Sequence, residues 1–209
     1  MRTRHALAGL ATALALALAG CTITLGRKFP VENTPGIVVG TTNDQELIRL
    51  FGEPLFRRTL SADDFESTIA GWGYGTSTAS GNKGHELHVE TVDGVVNGYL
   101  FSSSLEPDST DFDLSLADPL AAGRSTLQDA ERLLGPPDGR VRLPTNLLHD
   151  WFGPMKATIP PTGAAQATVY SFTDLAVQQD AAARRVKLLV LFAGPDGTIT
   201  AVRRFDGTR

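Results

Sequence analysis

The sequence predicts an α+β fold in which two tandem modules each pack a short helix on a three-stranded antiparallel sheet. Three observations lead there. The stretch Gly40–Pro54 recurs at Gly123–Pro137, with Gly, Gln, Arg, Leu, Gly and Pro coinciding at 40/123, 45/128, 49/132, 50/133, 52/135 and 54/137. Each copy is followed by three runs suited to strands, and Asp93-Gly94 and Pro195-Asp196-Gly197 supply hairpin turns before the last run of each half. The chain of 209 residues, 42% apolar and 20% charged, has the composition of a globular protein with room for two small units.

The two copies share one helix grammar. Thr42 and Ser125 stand as N-cap residues with Gln45 and Gln128 three positions on, the spacing of a capping box. Leu47, Leu50 and Phe51 share one helical face, as do Ala130, Leu133 and Leu134. Gly52 and Gly135 suit a left-handed C-terminal position, and Pro54 and Pro137 stop continuation. A helix this short is marginal alone, so each must lie on a sheet.

Ahead of the fold, residues 1–20 read as a signal peptide. Arg2, Arg4 and His5 precede the Ala/Leu run Ala6–Ala19, which is too short for an ordinary membrane-spanning helix. The run ends in Leu18-Ala19-Gly20-Cys21, which resembles a bacterial lipobox. That resemblance implies an acylated Cys21, carrying palmitate-type chains, as the first residue of the mature lipoprotein. Several acyl chains on one residue meet the requirement for stable anchoring. Thr22 stands where Asp commonly signals inner-membrane retention, so the expectation is the outer membrane, periplasmic face. No second Cys exists, so no disulfide supports the fold. The net charge of −4 and the absence of a basic block argue against nucleic acid as partner.

Residues 21–36 are expected to form a lipidated tether, 37–102 the first module, 103–119 an acidic linker, and 120–209 the second module. Strands are expected at Thr68–Thr76, His85–Val92 and Val95–Ser102, then at Ala167–Thr173, Val186–Phe192 and Thr198–Phe205. In the run at 85–92, Leu87, Val89 and Thr91 alternate with Glu86, His88 and Glu90, which predicts one buried and one solvated side. In the linker, Phe112, Leu114 and Leu116 have the spacing of an added edge strand. The second module carries an insertion near 143–165, rich in Pro and bearing Trp151, Phe152 and Met155. Such a loop either folds back over the core or touches a partner. Asp174–Arg185 is compatible with a helical turn or a long hairpin loop.

The pattern of Gly, Thr/Ser, Gln, an apolar pair and Gly-x-Pro, then an aromatic strand and a hairpin, resembles the SmpA/OmlA (BamE-like) family of outer-membrane lipoproteins. The likeness is best over Ile37–Ser102 and covers Leu120–Arg209 around the insertion. It implies a non-enzymatic accessory or scaffold in the cell envelope, with a role in envelope or outer-membrane-protein assembly. Two such modules in tandem also resemble the β-lactamase-inhibitor-protein architecture. That likeness implies the alternative: a membrane-tethered inhibitor or capture module gripping one protein through a concave sheet.

Catalytic patterns are weak. His85-Glu86-Leu87-His88 falls one residue short of His-Glu-x-x-His and lies on a strand, which sends His85 and His88 to opposite faces. Glu86, His88 and Glu90 share a face, but a solvated strand face explains them better than a metal. Gly81-Asn82-Lys83-Gly84 lacks the spacing of a phosphate loop. No catalytic residues, metal or cofactors are expected, and the role is protein binding. Trp151, Phe152, Trp72 and Tyr74 are the candidate partner-binding residues, since large aromatics concentrate at interfaces as well as in cores.

Overall fold

The repeated segments meet their surroundings through the same hydrogen bonds. In a computed structural model of the chain, which describes residues 23–62, 64–78, 81–174 and 185–208, α1 spans Asp44–Phe51 and α2 spans Leu127–Leu134. The Gly40 N–H donates to the Val96 carbonyl, and the Gly123 N–H to that of Ile199. The first helical N–H groups, of Asp44 and Leu127, donate to the hairpin carbonyls of Gly94 and Gly197. At the other end Gly52 (φ 76°) and Gly135 (φ 83°) close the helices. Their carbonyls accept from Trp72 Nε1 at 2.9 Å and Tyr170 Oη at 3.0 Å. Different side chains thus do one job in the two halves. Trp72→Phe and Tyr170→Phe are each expected to cost about 1 kcal/mol, the net worth of one such bond. Unchanged urea midpoints in both variants would refute the shared role.

The helices begin one residue later than expected. Thr42 Oγ1 and Ser125 Oγ accept from the Val38 and Ala121 N–H groups and so close the preceding turn. Asn43 and Thr126 are the N-caps, accepting from the N–H groups of Glu46 and Asp129. The capping box joins Thr126 to Asp129, not Ser125 to Gln128. Docking of the first helical N–H onto the hairpin decides the start. Leu133 is exposed, and Leu127 takes the buried place on α2.

Among the described residues nine strands form one antiparallel sheet rather than two separate three-stranded ones. They are β1 (Ile23–Gly26), β2 (Phe56–Ala62), β3 (Phe65–Thr78), β4 (Gly81–Val92), β5 (Val95–Ser103), β6 (Gly139–Arg142), β7 (Gln166–Asp174), β8 (Arg185–Ala193) and β9 (Ile199–Thr208). The order is β3-β4-β5-β6-β7-β8-β9, with β1 and β2 end to end along the free edge of β3. The joining strand β6 pairs with β5 on one side and β7 on the other. It is too short to carry a readable alternation.

Register assigns the faces. Ala70, Val89, Tyr99, Arg140, Thr168, Leu191 and Val202 are neighbours across seven strands. On this face Ala70, Val89 and Tyr99 cluster with Leu47 and Phe51 of α1, and Leu191 clusters with Leu127 and Ala130 of α2. The next row, Ile69, Glu90, Gly98, Val141, Ala167, Phe192 and Ala201, faces the other way. The insertion covers that side. Leu147, Leu148 and Phe152 of α3 (Leu147–Phe152) and Ala157 from a following 3-10 turn pack there on Ile69, Leu100, Val190 and Phe192.

Both sheet sides are therefore filled over most of their extent, and the expected solvated side of β4 is not one. Glu90 is completely buried and His88 largely so, although Glu86 is exposed. The segment expected as a tether is folded from Ile23 onward: it forms β1, buries Phe29, and makes a 3-10 turn at Val31–Gly36. Asn33 Nδ2 ties that turn to the Leu50 carbonyl at 2.8 Å. The acidic linker makes a 3-10 turn at Leu114–Ala117 instead of an edge strand, and buries Ala117 against α2. Residues 1–22, including the expected signal peptide and Cys21, and residues 175–184, where a helical turn or hairpin loop was expected, lie outside the described residues.

Candidate functional site

Between the clusters of α1 and α2 the helix face of the sheet is left uncovered. Here a cleft of about 490 Å³ opens over the seam of β5 and β6. Tyr99 and Phe101 of β5 and Arg140 of β6 form its floor. One wall is the 3-10 turn at Val31–Gly36, another the connection Pro107–Thr110, and the third Pro136–Asp138 just after α2. Pro35, Pro107, Pro136 and Pro137 set rigid backbone around the opening.

Arg140 and Asp138, polar residues of the cleft, are held in place. Arg140 reaches Glu131 of α2 at 2.8 Å; burial holds the Tyr99 pKa above its ordinary value, and the nearby Arg140 charge partly offsets this. Asp138 accepts the Ser171 N–H at 2.7 Å, while its own N–H and C=O bond to Val169 and Phe101. Part of this residue reaches the cleft, yet its carboxyl is packed deeply enough that desolvation pushes its pKa up to about 8. Thr34 Oγ1 is buried on the wall with no partner among the described residues. The cleft therefore offers a phenol, a paired guanidinium and apolar rings, with the Asp138 carboxyl packed beneath.

The sign of the Asp138 effect follows from its displacement. The folded chain holds this proton more tightly than the unfolded chain, whose carboxyl titrates near 3.8. Stability is thus lost as pH rises from about 4 to about 8. Asp138→Asn keeps an acceptor for Ser171 without a charge to desolvate. The variant is expected to gain over the parent by up to about 1.4 kcal/mol per pH unit across that window. Urea titrations at pH 5 and pH 8 measure it, and a pH-independent difference would contradict the buried carboxyl.

The aromatic residues expected to bind a partner do not converge. Trp72 is buried under α1, 5.7 Å from Phe51, and Phe152 is buried on the opposite side of the sheet. As the chain folds, these two rings are core rather than contact surface. Tyr74 is half-buried beside Lys28 at 5.1 Å, and Trp151 is half-buried with its ring 4.4 Å from His88. The cleft residues Tyr99, Arg140 and Asp138 carried no sequence signal, because only the β5–β6 pairing places them together. The four prolines were the legible trace of it.

Other titratable clusters are structural. His88 Nδ1 lies 3.9 Å from Asp150 Oδ2, and Arg58 pairs with the same carboxylate. Burial lowers the His88 pKa to about 4, so the ring is neutral near pH 7. His85 packs among Phe29, Tyr74 and Phe101, its ring nitrogens have no partner among the described residues, and burial holds its pKa below the ordinary value. Among the described residues no cluster of three His, Cys, Asp or Glu has the arrangement of a metal site. Nor is any helix among them long and apolar enough to cross a membrane.

No protein-family model matches the sequence, and no curated protein matches it. Among solved structures, a Streptococcus mutans protein described provisionally as a β-lactamase inhibitor protein is similar to this chain. The identity is 13% and the TM-score 0.42, over 85% of this chain and 98% of the other.

Proposed function

We propose that this chain is a lipid-anchored envelope protein built from two sister units, which holds a partner protein in the cleft between them and performs no chemistry on it. The observation that carries the binding role is the make-up of the cleft. Its rim is proline, its floor is aromatic, and Arg140 and Asp138 are already engaged, an arrangement suited to gripping a segment of another chain. The two-unit reading is supported by the matching bonds around Gly40/Gly123, Gly94/Gly197 and Gly52/Gly135. The anchor reading is supported by Leu18-Ala19-Gly20-Cys21, and the SmpA/OmlA resemblance rests on the repeated residues already quoted.

The accessory and the tethered-inhibitor readings differ in partner and share this surface. On the sheet face opposite the helices the insertion packs over Ile69, Leu100, Val190 and Phe192, so a grip there would have to avoid that region. Photo-crosslinkers placed at Asp108, on the cleft rim, and at Leu116, exposed elsewhere, test the proposal in intact envelopes. A product from position 108 and none from 116 is expected. Equal or absent labelling would overturn the cleft as the binding surface. Several crosslinked members of one assembly machine favour the accessory role, and a single soluble protein favours the inhibitor. Cys21→Ser is expected to release the chain from the membrane fraction, and unchanged fractionation would contradict the anchor.

A further inference from the structure

Strand β1 leaves its apolar side chains in the open. Ile23 and Leu25 point to the same side of the strand and are 60% and 63% exposed. In register they stand beside Ser77 and Gly75, on the sheet side opposite the helices. Leu55, 49% exposed, reaches over the backbones of Gly26 and Gly73 at the same end. Farther along this side the insertion fills the surface, but here nothing among the described residues covers these three side chains. Cations stand at the same end of the sheet: Arg27 follows β1 directly and donates to the Glu53 carbonyl, while Lys28, over the Tyr74 ring, and Lys83, paired with Thr76, project from the helix side.

The chain itself indicates what lies against this end. Ile23 is two residues from Cys21. Two residues span at most about 7 Å. An acyl-modified Cys21 in a bilayer therefore keeps β1 at the bilayer surface, with no slack for the folded body to stand away. We infer that the end of the sheet bearing Ile23, Leu25 and Leu55 rests on the lipid surface. Its apolar side chains enter the interfacial layer, and Arg27, next along the chain from β1, lies at the headgroups. The inference rests on the anchor reading above and adds an orientation to it. The β4–β5 hairpin at Asp93-Gly94, with Gly40 bonded beside it to Val96, then faces away from the membrane.

The test uses the full lipidated chain in phosphatidylethanolamine/phosphatidylglycerol vesicles, with and without brominated acyl chains. The parent tryptophans Trp72 and Trp151 set the background. Leu25→Trp adds a reporter at the proposed contact, and Val38→Trp, at a 53% exposed position near the far hairpin, adds the control. Bromine is expected to quench the added Leu25→Trp signal roughly twofold or more, as for a ring in the interfacial layer, and to leave Val38→Trp unchanged. A chain that floats with the vesicles while Leu25→Trp stays unquenched, or while both positions quench alike, overturns the orientation and leaves the anchor standing. A chain that does not float overturns the anchor reading, and the orientation falls with it.

Discussion

Glu90→Ala is expected to destabilise the chain by at least about 3 kcal/mol, because four donors converge on this one buried carboxylate. Oε1 accepts from Ser67 Oγ at 2.7 Å and from the Asn146 N–H at 2.7 Å. Oε2 accepts from Asn97 Nδ2 at 2.9 Å and from Thr145 Oγ1 at 2.5 Å. The donors come from β3, β5 and the start of the insertion, so the carboxylate joins the sheet to the segment covering it. Asn146 makes no side-chain cap of its own for α3, and Glu90 receives its N–H instead. Alanine would take the acceptor from Ser67, Thr145 and the Asn146 N–H inside the packed layer, while Asn97 Nδ2 keeps the Pro144 carbonyl at 3.0 Å. Glu90→Gln keeps one acceptor oxygen and sets an NH2 group against Asn97, so its cost falls between parent and alanine. Urea denaturation gives both values. Trp151, next to α3's buried face, reports the loss of docking as a red-shifted emission. Near-parent stability of Glu90→Ala would show that the carboxylate does not hold the insertion.

Phe152→Ala is expected to cost about 3–5 kcal/mol, the range for deleting a fully buried phenyl ring. The ring is enclosed by residues from the sheet and from the insertion, and removing it leaves a cavity that the sheet cannot close by moving. For a chain of this size that corresponds to a fall in Tm of roughly 10 °C. Phe152→Leu should recover much of it. If the insertion served a partner and did not form core, Phe152→Ala would leave Tm unchanged and alter binding alone.

Local pattern made much of the helix face legible. Gly52 and Gly135 take the positive φ their position demanded, and Leu47, Phe51 and Ala130 fall on the buried side of their helices. Asp93-Gly94 joins β4 to β5 as a two-residue turn, with φ of 51° and 75°. Where local signals misled, a longer-range contact had outweighed them. Glu86, His88 and Glu90 alternate as a solvated side would. The insertion turns the last two inward by bringing Asn146 and Trp151 onto them. Thr42 and Ser125 carry the chemistry of N-caps, but the hairpins claim the next N–H and shift each helix by one residue.

By itself the sequence determined what depends on neighbours a few positions away: the glycines that close the helices and the turn that joins β4 to β5. The tertiary structure alone decided what depends on pairing distant segments. It joined the strands through β6 into one sheet, brought Tyr99, Arg140 and Asp138 to one cleft, and buried a carboxylate beneath the insertion. The physical reason is the reach of the forces involved. Turn and cap preferences act within a few residues, whereas burial and desolvation are set by whatever the rest of the chain lays on top.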